Sequence, residues 1–286
     1  MREGDIVTSA TRVAPPAGSA DRAAPRAPEI VGAFFRDAAA IAEVELRKVA
    51  RDPTEILTRA VQPMLWLLVF GQVFTRTRAI PTGSMSYLAF MAPGVLAQSV
   101  LFSAIFYGIA VIWERDLGIV QKLLVSPSPR ASLVLGKAVS AGVRALTQGV
   151  IIMVLSWILG VPLRLDPLSI AGLIVAVLLG AALFSTFSFV IACLVKTRER
   201  FMGIGQVLTM PLFFASNAIY PLTMMPHWLQ VIARVNPLTY LVNALRALMV
   251  QGGSSPVGLP TDFAVLAIVF VALVALGARL YPGIIQ

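Results

Sequence analysis

The chain has 286 residues, of which 58% are hydrophobic and only 13% charged, with a formal net charge of +9. Soluble domains carry about 25% charged residues, so the deficit excludes a water-exposed surface of ordinary size and indicates a membrane protein. One cysteine and one histidine exclude an intrachain disulfide, a multi-cysteine metal centre and any site that needs two imidazoles.

Residues 1–29 are rich in Ala, Pro, Arg and Ser and lack the apolar run of a signal peptide, so a disordered cytoplasmic tail is expected. A single transmembrane domain is expected over 30–286. It begins with Val31, Phe34, Phe35, Ala38, Ile41, Ala42, Leu46 and Val49 at helical spacing, with charges mostly on the other face. That pattern predicts an amphipathic helix over 30–52, lying in the inner interface or packed on a soluble partner. Asp52-Pro53 ends it.

A span needs about 20 mostly apolar residues. Six are expected, near 56–75, 87–112, 138–161, 168–194, 202–221 and 262–281, which makes the fold class an all-α membrane protein. The stretch 247–261 is set aside because Gln251-Gly252-Gly253-Ser254-Ser255-Pro256 cannot cross lipid without internal hydrogen bonds. No Asp or Glu is expected inside the spans, which argues against a proton-coupled carrier. Gln98, Ser99, Gln148, Ser188 and Asn217 are among the uncharged polar residues that either line an aqueous path or bond between helices.

The connection after the second span starts with Glu114, Arg115 and Asp116. Leu117, Val120, Leu123 and Leu124 then form an apolar face opposite Arg115, Asp116, Gln121 and Lys122. A short amphipathic cytoplasmic helix is expected, ended by Ser126-Pro127-Ser128-Pro129; an ordinary interfacial loop is the alternative. In the fifth connection, Pro226 stands in a first-turn position, and Trp228, Leu229, Ile232 and Ala233 form a stripe ending at Asn236-Pro237. A second helix is expected from Pro237 to Val250. Each piece is too short to span and too apolar for water, which predicts a helical hairpin in the outer interface, re-entrant in form. Trp228 and Tyr240 suit the headgroup level, and His227 reads as a loop residue there.

Lys and Arg near the span ends set the orientation. The side of the N-terminus and of the second and fourth connections carries twelve, among them Arg47, Lys48, Arg51, Arg59, Lys137, Arg198 and Arg279; the other side has Arg76, Arg78, Arg164, Arg234 and Arg246. Both termini are therefore expected in the cytoplasm, and the basic balance needs no nucleic acid. Leu135-Gly136-Lys137-Ala138 lacks the first Gly and the closing Ser or Thr of a phosphate loop. A nucleotide site in this chain is not expected, and neither is catalysis.

Glu114-Arg115…Gly118…Leu123-Leu124-Val125-Ser126-Pro127…Arg130…Leu135-Gly136-Lys137 resembles a motif of ABC-2 type permeases. These are the membrane subunits of ABC exporters of the daunorubicin-resistance, nodulation-factor and polysaccharide-export kind. Pro211-Leu212…Ser216…Tyr220-Pro221-Leu222…Pro226-x-Trp228-Leu229…Asn236-Pro237-Leu238-Thr239-Tyr240…Ala244-Leu245-Arg246 resembles a second. Departures are Ile119 where Thr is common, Asn217 where Gly often follows the Ser, and Asn243 in place of a frequent acidic residue.

The resemblance implies a multi-pass protein of the bacterial plasma membrane. It implies a separate ABC ATPase, in two copies, that carries the ATP and Mg absent from this chain. It also implies a second permease subunit as a homodimer or paralogous heterodimer. Glu114, Arg115, Gly118, Leu123, Leu124 and Pro127 would then contact the ATPase. Pro221, Pro226, Trp228, Asn236, Pro237, Tyr240 and Arg246 would form the outer hairpin and gate. The expected cargo is a hydrophobic or amphipathic drug, antibiotic or lipid. Rival readings are a polysaccharide or glycolipid exporter of the same family, and an ATP-independent carrier or scaffold.

Overall fold

A computed structural model describes residues 61–83, 85–105, 112–113, 130–195 and 197–280, all within one compact unit, Ala38–Gln286. The expected tail, the interfacial helix 30–52, residues 56–60 of the first span and the 114–129 segment lie outside the described residues. The chain is helical from 61, passes through a π-helical stretch at Trp66–Gly71, and continues as α1 (Gln72–Thr77). Then follow α2 (Tyr87–Ile105), α3 (Arg130–Ile158), α4 (Pro167–Leu194), α5 (Arg198–Phe214), α6 (His227–Val235), α7 (Pro237–Met249) and α8 (Leu259–Leu280). Among the described residues the one β feature is an isolated antiparallel bridge, Leu163 to Val250.

Among the described residues, four helices are long and apolar enough to cross a membrane: α2, the 141–158 part of α3, α4 and α8. They fall within four of the six expected spans or match them closely. α2 is the hub. Every residue in it but Phe102 and Ser103 is buried, so it has no amphipathic stripe, as a helix surrounded by others should not. α3, α4, α7 and the 66–77 segment pack around it, and α8 packs on α4 and α7 with most of its surface outward.

Local signals place the ends. Asp166 caps α4, its Oδ2 accepting the Ser169 N–H at 2.9 Å, and Pro167 follows at the first helical position. That bond holds the Asp166 carboxyl below the usual carboxylate range. A carboxylate with a depressed folded pKa adds stability above its unfolded pKa and loses it as pH falls through the folded value. Acidification through that window is expected to fray the start of α4, read as helix content in detergent. Asp166→Asn, which caps without titrating, should remove that part of the pH dependence; an identical acid profile in the variant would contradict the assignment.

The fifth expected span, 202–221, is corrected. α5 stops at Phe214, seven residues early, and its 17 residues reach only about 25 Å. It stops because its last carbonyls find other donors, which lets backbone leave the helix in apolar surroundings. Asn236 Nδ2 donates to Leu212 O at 2.6 Å and to Ala215 O at 3.1 Å, and Ser216 Oγ donates to Phe213 O at 2.7 Å. Residues 215–220 then form a turn, most of it buried.

Candidate functional site

Each expected gate residue has a specific place. Pro221 precedes a 3₁₀ turn at Leu222–Met224, and Pro226 is the extended residue just before α6 rather than part of its first turn. His227 opens α6 instead of lying in a loop. Trp228 is 65% exposed, as are large parts of Val231, Ile232 and Val235, so α6 lies on the periphery. Asn236 joins the two helices: its Oδ1 accepts Leu238 N–H at 3.0 Å and caps α7, while its amide holds the end of α5. Pro237 starts α7, and Tyr240 donates its hydroxyl to Arg234 O at 2.6 Å, closing the corner.

The two arms of the hairpin differ. α7 is buried from Leu238 through Met249, apart from Tyr240, and packs against α2, α4 and α8. It is a core helix, not an interfacial one. Thirteen residues span about 20 Å, too little to cross roughly 30 Å of hydrocarbon. Its far end is fastened to the α3–α4 loop. Arg164 N donates to Met249 O at 2.9 Å, Gln251 N to Pro162 O at 2.8 Å, and the Arg164 guanidinium to Ala247 O at 3.0 Å.

Arg246, counted above among the outer loop charges, is instead 6% exposed on the inner face of α7. Its Nη2 donates to Asn217 O at 2.8 Å and to Phe90 O at 3.2 Å, and its Cζ sits 3.9 Å from the centre of the Phe90 ring. Ring face and carbonyls together take the place of water around the cation. Asn217 then donates through Nδ2 to Asn243 Oδ1 at 2.6 Å. Gly94 completes the contact: a Cβ there would lie 2.2 Å from Ala218 O, so only glycine lets the 215–220 turn seat on α2. α2, α7 and the turn after α5 thus meet at one buried polar latch.

The expectation of carboxylate-free spans is overturned by Asp262, which sits in the first turn of α8 and is 0% exposed. Asn243 and Ser255 face it, yet neither oxygen closes a hydrogen bond of normal geometry. A buried carboxylate is costly enough to mark a functional position. Its position at the very edge of the 262–281 stretch hid it, since hydropathy does not show that a boundary residue is covered by α7. Of the other polar residues, Ser188 donates to Ile105 O between helices, while Gln98 and Gln148 keep buried oxygens without a partner.

The opposite end of the bundle carries a second cluster of Ile112, Phe189, Ile191, Ala192, Val195 and Phe201. There the Arg198 guanidinium lies 3.8 Å over the Trp113 ring, linking the start of α5 to the residue just before the 114–129 segment. Glu114, Arg115, Gly118, Leu123, Leu124 and Pro127 themselves lie outside the described residues.

Residues 37–250 match the ABC-2 type transporter family, a stretch that ends one residue after α7 and leaves out α8. A relative named as transport permease ycf38, from Cyanophora paradoxa, is 32% identical over 203 residues, 70% of each chain. The inner membrane transport permease YadH of Escherichia coli (strain K12) is 26% identical over 73% of this chain and 79% of its own. The daunorubicin resistance ABC transporter permease protein DrrB1 of Streptomyces coeruleorubidus is 24% identical over 69% of each. Membership in this family implies an ABC ATPase partner in general terms. With three quarters of its length matched and its hairpin in order, the chain belongs to the ABC-2 type transporter family.

Proposed function

We propose that the chain is the membrane-spanning permease subunit of an ATP-driven ABC exporter that moves a hydrophobic or amphipathic molecule, such as a drug, antibiotic or lipid, out of the cytoplasm or inner leaflet. With α5 and the turn after it taken together as the fifth, the chain has six spans in a bacterial plasma membrane with both termini cytoplasmic, and it pairs with a second permease subunit and two ATPase copies. ATP and Mg belong to that ATPase. Glu114, Arg115, Gly118, Leu123, Leu124 and Pro127 form the coupling contact, and the hairpin from Pro221 to Arg246 gates the exit.

The observation that carries the reading is the latch. A half-length helix held to the hub α2 by one buried cation, and to the turn after α5 by that cation and an asparagine pair, can be released as a unit, which is what a gate with two discrete states requires. The Arg198–Trp113 contact supports the other half, because displacement of the 114–129 segment would pull on α5, whose far end carries the latch turn. The stacked Trp66 and Phe70, 4.6 Å apart, lead on to Phe74 and Tyr87. This aromatic run favours a polysaccharide or glycolipid cargo as the second reading, since sugars stack on such faces.

Cells producing the chain with its ATPase are expected to accumulate less of a lipophilic dye than cells lacking it. Glu114→Ala combined with Leu124→Asp should restore full accumulation while the amount of chain in the membrane stays the same. Undiminished ATP-dependent efflux in that double variant would sink the coupling assignment.

A further inference from the structure

α7 ends inside the protein, with Leu248, Met249 and Val250 all buried, so its last carbonyls need donors from elsewhere. Following those donors leads to one residue. Val250 N donates to Arg246 O at 3.4 Å and Gly253 N to Val250 O at 3.0 Å, both from the chain that follows. Ala247 O and Met249 O are served by Arg164 of the α3–α4 loop, the first by its guanidinium Nη1 at 3.0 Å and the second by its main-chain N–H at 2.9 Å. A cation over the last turn also suits the negative end of the helix dipole.

The contacts around Arg164 make this a seat rather than a single bond. Leu163 pairs with Val250 in an antiparallel bridge, and both are buried. Gln251 donates through N to Pro162 O at 2.8 Å and through Nε2 to Leu163 O at 2.9 Å. A Cβ on Gly253 would lie 2.1 Å from Arg246 O, so the chain after α7 folds back directly over the residue that carries the latch. On its other side the loop continues α3, whose 29 residues, Arg130–Ile158, extend about 40 Å from the end of the 114–129 segment.

We propose that Arg164 is the positioning residue through which α3 sets the latch. It holds the end of α7 to the α3–α4 loop one residue past Arg246, so α7 and that loop move as one body. A displacement of α3 is then delivered to the guanidinium on Phe90 O and Asn217 O. Rigid elements joined by hydrogen-bonded contacts are what carries coupling between distant sites. The use of this linkage in transport rests on the export reading; the linkage itself does not.

The test uses the full chain in detergent, without nucleotide or cargo, so its failure is separate from failure of the export reading. Arg164→Met removes the bond to Ala247 O and leaves the main-chain N–H in place. It should lower the melting temperature by roughly 2–5 °C. In an Arg246→Met background the further drop should be less than about half as large, because the latch that Arg164 positions is already gone. Hydrogen exchange in the 215–220 turn, which Arg164 does not bond, should rise about tenfold in Arg164→Met. Arg164→Lys, which keeps a cation over the same carbonyls, should recover most of both effects. An equal drop in the two backgrounds, or unchanged exchange in the 215–220 turn, would overturn the proposal and leave Arg164 a local helix cap.

Discussion

Arg246→Met is expected to lower the melting temperature of the detergent-solubilised chain by roughly 5–10 °C, corresponding to about 2–3 kcal/mol. Methionine approximates the length of the side chain but gives no donors. Asn217 O and Phe90 O lose their guanidinium bonds at 2.8 and 3.2 Å, and the Phe90 ring loses its cation. The latch is a network, so the loss should exceed that of any single bond in it. Arg246→Lys should recover only part of the stability, because a point ammonium cannot reach both carbonyls and stack on the ring in the same pose. A melting temperature within 1–2 °C of wild type for Arg246→Met, a shift worth well under 1 kcal/mol, would show that the buried contacts carry no weight.

Gly94→Val should be at least as damaging, by a different route. The first added carbon meets Ala218 O at 2.2 Å and Ala218 Cα at 2.7 Å, both backbone atoms, so no side chain can rotate away. Overpacking of this kind costs about 1–3 kcal/mol or more, and the expected structural consequence is separation of the 215–220 turn from α2. Gly203 provides the control on α5. Nothing lies within 4 Å of a Cβ built there, so Gly203→Ala should stabilise by roughly 0.5–1 kcal/mol through helix propensity. Opposite signs in thermal melts of the two variants would establish that Gly94 is needed for close approach rather than for flexibility; parallel effects would refute it.

How much of this was legible in the sequence follows from what each signal measures. Hydropathy and length placed the start of α2 and both ends of α4 and α8 within a few residues, because lipid imposes a minimum run of apolar residues whatever the neighbours are. Asn236-Pro237, which marked the break between α6 and α7, was equally local. Tertiary placement was not local. α7 read as interfacial because an apolar face turned toward protein looks the same as one turned toward headgroups, and its burial comes from α2, α4 and α8. Arg246 read as a loop charge because its partners, Phe90 and Asn217, lie 156 and 29 positions away. The end of α5 was misplaced because the amide that satisfies its last carbonyls belongs to Asn236, 24 positions on from Leu212. Spacing alone put Asn236-Pro237 between two helices, whereas the contacts that each hairpin residue makes needed three dimensions.

The most direct test of the central claim, that this chain is the membrane half of an ATP-driven exporter, is its gentle purification from host membranes with crosslinking, followed by mass spectrometry and an ATPase assay. An ABC ATPase should co-purify and hydrolyse ATP, and it should be lost when Glu114→Ala and Leu124→Asp are combined in a chain that still inserts. Recovery of the inserted chain without any ATPase would contradict the account and favour an ATP-independent carrier or scaffold.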